Sequence, residues 1–168
     1  MTGHLEPSSS IVCATQSVEQ TQAIAGIIAV LAADGDLLVL VGDLGAGKTH
    51  FTQGFARARG VTDPVTSPTF TLANRYEGDL VINHLDAYRV EELIEAEDLA
   101  LPELLEDGVT LIEWGDLIRP ALPADLLEVR ITLGDGDDDR RIELSAIGTG
   151  WSSRLGTLRA RLADWTDS

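Results

Sequence analysis

The chain holds a single lysine, Lys48, within the run Gly42-Asp43-Leu44-Gly45-Ala46-Gly47-Lys48-Thr49. This run reads G-x-x-x-x-G-K-[ST], the pattern of a loop that cradles phosphate. The chemistry asks for each residue type. Gly42, Gly45 and Gly47 let the backbone take positive φ and come close to an anion. Successive N–H groups at a helix N-terminus form the cradle. A lysine at position 48 reaches β- and γ-phosphates, and a threonine hydroxyl at position 49 ligates Mg²⁺. All other fixed positive charge is arginine, a flat fork rather than a compact point charge. Codon bias toward arginine explains the surface but does not explain why this one ammonium remains.

A nucleotide-hydrolysis site also needs a carboxylate on the Mg²⁺ side and a group that orients the attacking water. Two apolar runs end in such acids. Val81-Ile82-Asn83-His84-Leu85-Asp86 leads into Ala87-Tyr88-Arg89, and Val109-Thr110-Leu111-Ile112 ends at Glu113-Trp114-Gly115-Asp116. Asp86 can accept a proton or bind Mg²⁺ through water, and Arg89 can pair with it or with phosphate. Equally, Asp86 can cap the turn after its strand. Glu113 would face the magnesium held by Thr49, with Trp114 shielding it, or simply end its strand beside a buried Trp. Thr66-Ser67-Pro68-Thr69-Phe70-Thr71 is a hydroxyl-rich loop placed where a switch segment would sense the γ-phosphate.

The flanks supply the elements these residues need. Leu37–Val41 is a short unbroken apolar run, the signature of a strand buried on both faces. After Thr49, the spacing of Phe51, Phe55 and Ala58 predicts a helix face, stopped by Gly60. Ile11–Thr15 reads as a strand. Ser17 with Gln20 resembles a capping box and opens a helix to about Ala33, with Ile24, Ile27, Ile28 and Leu31 on one face. Phe70–Glu77 and Leu80–Leu85 form a hairpin about Gly78-Asp79. Val90–Asp107 is acidic and helix-favouring, interrupted by Pro102. Leu126–Leu133 and Arg140–Ile147 flank an aspartate-rich turn that lacks the spacing of a calcium loop. Trp151–Trp165 closes the chain as an amphipathic helix.

The expected architecture is α/β: a three-layer fold of the P-loop NTPase type with a mixed central sheet of about seven strands. Residues 1–10 read as a flexible tail and 11–168 as one domain.

Composition sets limits. The 168 residues carry 28 acidic and 12 basic side chains, a formal charge of −16. A stand-alone nucleic-acid binder shows a basic face instead. Cys13 is the only cysteine, so no intramolecular disulfide or cysteine zinc cluster forms, as in a reducing cytoplasm. It reads as a small buried residue. The N-terminus lacks the basic and apolar regions of a signal peptide, and no run reaches the length of a membrane span.

GDLGAGKT, SPTFTL, HLDAYR and LIEWGD, in this order, closely resemble the bacterial TsaE (YjeE) family. The resemblance covers roughly residues 11 to 147. It implies a small ATPase that supports threonylcarbamoyladenosine (t6A) formation on tRNAs reading ANN codons. It further implies ATP phosphates bound by Asp43, Leu44, Gly45, Ala46, Gly47, Lys48 and Thr49, and Mg²⁺ held by Thr49 and Glu113. Lys48 and Asp86 become catalytic, Asp86 as the hydrolysis-critical carboxylate with His84, Tyr88 and Arg89 around it. Ser67 to Phe70 becomes a switch-like loop. Looser analogy puts Thr15 to Thr21 by the adenine and Arg141 on the nucleotide. The implied partners are a transferase subunit of TsaD type and its dimerisation paralogue of TsaB type, with tRNA met through them and no membrane. A small-molecule kinase would need a lid and acceptor pocket, of which no distinct segment is seen. A GTPase of the Asn-Lys-x-Asp kind is ruled out by the absence of a second lysine. A nucleotide-gated assembly factor with incidental hydrolysis differs little from the TsaE reading.

Overall fold

A computed structural model describes residues 10–67, 73–88 and 105–166. Residues 1–9, 68–72, 89–104 and 167–168 lie outside the described residues, and with them most of the expected tail, part of the switch-like loop, Arg89 and most of the acidic Val90–Asp107 segment; Ser10, expected in the tail, opens the first strand.

Seven strands form one sheet among the described residues: β1 (Ser10–Thr15), β2 (Leu37–Val41), β3 (Ala73–Glu77), β4 (Val81–Asp86), β5 (Val109–Glu113), β6 (Leu126–Leu133) and β7 (Arg140–Ile147). Their order is β1-β7-β6-β2-β5-β4-β3. The middle four, β4-β5-β2-β6, run parallel. Antiparallel strands close both sides, β3 on β4 and β7 with β1 on β6. The sheet is therefore mixed, as the hairpin turns required.

Alternation along the strands decides what each face does. On β2, Leu38 and Leu40 enter one apolar cluster while Leu37, Val39 and Val41 enter the other. The first cluster lies under α1 (Val18–Leu31), α2 (Lys48–Ala58) and α3 (Leu155–Arg161). The second is covered in part by Ile118 of a 3₁₀ segment, Gly115–Ala121, and by Leu105, Trp114 and Leu122. β2 is buried at all five positions, as its unbroken apolar sequence predicted.

The helix ends follow their caps. Ser17 Oγ accepts the Gln20 N–H at 3.1 Å. Gln20 reaches back to the Gln16 N–H at 2.7 Å, one residue earlier than a capping box requires. On α2 the buried face is Phe51, Thr52, Phe55 and Ala56, and Ala58 is exposed. The stripe is turned by one residue because Thr52 is tolerated inside: its hydroxyl donates to the Lys48 carbonyl at 3.1 Å. The final segment is not one helix. α3 has seven residues, flanked by 3₁₀ turns at Ser152–Arg154 and Ala163–Trp165, yet Leu155, Leu158 and Leu162 are buried as their spacing predicted. Burial pushes the Cys13 thiol up to about 11, in keeping with a packing role.

Candidate functional site

The parallel strands place the site. In open α/β sheets, ligands meet the carboxyl ends of parallel strands, and here three such ends converge. β2 ends at Val41 and runs into the glycine loop. Leu40 of β2 is level with Glu113 of β5, and Glu113 is level with Asp86 of β4. Alternation puts Val109, Leu111 and Glu113 on the α2 face of the sheet, and Ile82, His84 and Asp86 beside them.

Gly45 and Gly47 have φ of 81° and 114°, and a Cβ on either would meet nothing within 4 Å. Positive φ, not space, demands glycine at these two positions. Gly42 differs from expectation. Its φ is not positive, and a Cβ there would stand 2.6 Å from the Ile131 carbonyl oxygen and 3.1 Å from Ala46 Cβ. It is glycine because the loop passes tightly over β6. Asp43 accepts the Ala46 N–H at 3.0 Å through its carbonyl, which closes the loop. Leu44, at the tip, is 74% exposed.

Lys48 is buried at the start of α2. Its Nζ donates to the carbonyls of Gly42 at 2.6 Å and Asp43 at 2.9 Å, and lies 4.1 Å from the Trp114 ring centroid. Burial lowers the pKa of this ammonium, while Glu113, Asp86, Asp43 and Asp116 oppose the shift. Trp114 is held at φ 61°, the only positive φ outside glycine among the described residues. Such strain clusters at functional sites. Tyr88, half exposed, packs tilted against it, with 4.8 Å between ring centres and 48° between ring planes.

Thr49 Oγ1 donates to Glu113 Oε2 at 3.1 Å. The same oxygen takes a 2.5 Å hydrogen bond from His84 Nε2. His84 is fully buried, and its Nδ1 has no partner among the described residues. A neutral ring with the proton on Nε2 fits this arrangement, because an unpartnered acceptor is tolerated better than an unpartnered N–H. The sequence placed His84 around Asp86. The structure instead sets it on Glu113, where it fixes the carboxylate as outer partners fix metal ligands.

Asp86 accepts the Tyr88 N–H at 2.9 Å through Oδ1, so it caps the turn after β4. It also faces the site. Burial pushes its carboxyl above the usual carboxylate range, the Tyr88 N–H opposes this, and the Glu113 charge adds to it. A raised carboxylate beside a phosphate loop is suited to accepting a proton.

A hydroxyl and a carboxylate oxygen thus converge beside the loop, a donor set that fits a hard divalent cation. No group of three or more His, Cys, Asp or Glu side chains that could hold a metal gathers among the described residues. A cation held by these two groups would need its other oxygens from outside the chain, the habit of Mg²⁺ rather than Ca²⁺.

The remaining expectations divide. Thr15 and Thr21 are buried with their hydroxyls 3.1 Å apart. Ser17, Val18 and Thr21 line a small cavity of about 80 Å³ with Gly47, His50, Asp138 and Arg140. Arg141 reaches Glu143 at 3.4 Å and lines a cavity of about 260 Å³ with Thr15 and Gln16. Its neighbour Arg140, which the sequence did not single out, bonds to the loop itself.

The family profile described as Threonylcarbamoyl adenosine biosynthesis protein TsaE matches residues 15–142. The chain belongs to the TsaE family. It is 48% identical over 136 residues to the tRNA threonylcarbamoyladenosine biosynthesis protein TsaE of Bacillus subtilis, covering 80% of this chain and 84% of that protein. With the protein of the same name from Streptomyces coelicolor it shares 40% over 127 residues, 71% of this chain and 85% of the other. The crystal structure of YdiB from Bacillus subtilis matches with a TM-score of 0.74 at 38% identity, over 92% of this chain and 95% of that one. The α/β fold is therefore that of a solved relative. The TsaE family takes part in tRNA threonylcarbamoyladenosine biosynthesis. No helix among the described residues of this TsaE-family chain is long and apolar enough to cross a membrane.

Proposed function

We propose that this TsaE-family protein binds ATP with Mg²⁺ and hydrolyses it to support threonylcarbamoyladenosine formation on tRNA. The observation that carries the reading is the meeting of Thr49 Oγ1 with Glu113 Oε2 at 3.1 Å, beside the buried Lys48 ammonium. In this reading the N–H groups from Asp43 to Thr49 hold the phosphates. Lys48 exchanges its carbonyl partners for β- and γ-phosphate oxygens. Thr49 and Glu113 hold Mg²⁺, which neutralises charge on the phosphates when bound. Asp86 takes or orients the proton of the attacking water, and the raised carboxyl supports that role. The lack of a second lysine removes the Asn-Lys-x-Asp guanine reader, so ATP is preferred to GTP.

The charge of −16 repels a tRNA backbone. The protein therefore acts through others: a transferase subunit of TsaD type and its TsaB-type dimerisation paralogue, in the cytoplasm, with residues 11–168 as one ATPase domain. The test is phosphate release by Asp86→Ala with those two subunits present. Retained ATP binding with turnover reduced at least about a hundredfold is expected, the usual scale of a proton-transfer group. A wild-type rate removes Asp86 from the mechanism.

A further inference from the structure

Arg140 stands at the start of β7, where the β6–β7 hairpin turns back toward the glycine loop. Its Nε donates to the Ala46 carbonyl at 2.8 Å and its Nη2 to the Gly45 carbonyl at 3.2 Å. Its Nη1 donates to the carbonyls of Asp137 and Asp139, each at 2.8 Å. One guanidinium thus ties the hairpin tip to the loop through backbone acceptors on both sides.

In a trans peptide the C=O and N–H point in opposite directions. A hydrogen bond to the Ala46 carbonyl therefore turns the Gly47 N–H away from the guanidinium. A hydrogen bond to the Gly45 carbonyl turns the Ala46 N–H away too, and that N–H is found on the Asp43 carbonyl. The glycines on either side of Ala46 have no side chain to pack. Backbone of this kind swivels easily unless something holds it.

We propose that Arg140 is a positioning residue for phosphate binding. It fixes the two peptide planes on either side of Ala46, one closing the loop through the Ala46 N–H and the other aiming the Gly47 N–H before the phosphates arrive. The proposal rests on the ATP reading of the loop. A lysine cannot replace Arg140, because a single ammonium does not present a planar fork to acceptors on both the loop and the hairpin.

Arg140→Met and Arg140→Lys test this by MgATP titration and by steady-state turnover with the partner subunits. Both variants are expected to raise Kd and KM about tenfold, equivalent to about 1.4 kcal/mol. kcat stays within about twofold, because Arg140 touches no reacting atom and only uniform binding is lost. Unchanged Kd in both variants overturns the proposal. So does wild-type affinity in Arg140→Lys, since charge alone would then suffice. A fall in kcat at unchanged KM also overturns it, by showing only a smaller folded fraction. Should Arg140→Met fail to fold, Arg140→Lys decides. A wild-type protein that does not bind MgATP refutes the ATP reading, and this proposal with it. Wild-type binding with unaffected variants refutes this proposal alone.

Discussion

His84 and Glu113 make the sharpest energetic prediction. The Nε2···Oε2 distance is 2.5 Å, with the two side chains 0% and 5% exposed. Solvent screening that makes surface pairs nearly worthless is therefore missing. A hydrogen bond from a neutral ring to a buried carboxylate is worth about 1.5–3 kcal/mol. The Thr49 hydroxyl still serves the Glu113 carboxylate, but the charge left behind is buried, so His84→Ala belongs near the upper end, about 3 kcal/mol. For a chain of this size that lowers Tm by about 6–12 °C. Glu113→Gln keeps an oxygen that accepts from His84 and loses only the charge, so about 1 kcal/mol is expected. The double variant should lose less than the sum, with a coupling of about 1 kcal/mol, the share of the pair that Glu113→Gln removes. Urea unfolding of the wild type, both single variants and the double variant gives the cycle. A coupling below about 0.5 kcal/mol, the level of independent sites, refutes the claim that His84 holds Glu113.

Asp86→Asn should raise stability at neutral pH while removing turnover. The folded-state carboxyl is raised, so its contribution to stability is fully present below the unfolded value of 3.8 and is lost as pH rises through the folded value. The variant therefore gains over wild type at pH 7, and the gain fades toward pH 3.8; unfolding across that range checks the sign, and equal stability at pH 7 counts against it. Gly42→Ala forces a Cβ to within 2.6 Å of the Ile131 carbonyl oxygen and should cost about 1–3 kcal/mol, the scale of overpacking. Loop displacement should weaken MgATP binding as well; a variant of wild-type Tm and affinity contradicts the tight passage of the loop over β6.

Much of this was legible because strand alternation and motif order agree. The apolar runs at Leu37 and Val109 named the central strands, and the acids ending β4 and β5 fell at adjacent strand ends. The same alternation held a signal that motif reading overlooked. Arg140 shares its side of β7 with buried Ile142 and Leu144, which face α1 and α2, whereas Arg141 faces away. Strand parity, not motif position, marks Arg140 as the arginine that meets the loop. Gly42 was misread because a motif glycine can serve close approach rather than positive φ, and only the position of β6 separates the two. The partner of His84 needed register: it meets Glu113 diagonally, two residues along from the level pair Asp86 and Glu113. The breaks around α3 follow from local 3₁₀ bonding, which leaves the leucine spacing unchanged.

The central claim is that the loop and the Thr49–Glu113 pair together make a Mg²⁺-dependent ATP site. Titration of ATP into wild type and Lys48→Met, each with Mg²⁺ and with chelator, tests it directly. No second lysine exists to substitute. The account predicts saturable one-site binding in wild type, weakened at least about tenfold by chelator and about a hundredfold or more by the substitution, the loss of a charge-assisted contact or more. No binding by wild type, or equal binding by Lys48→Met, contradicts it.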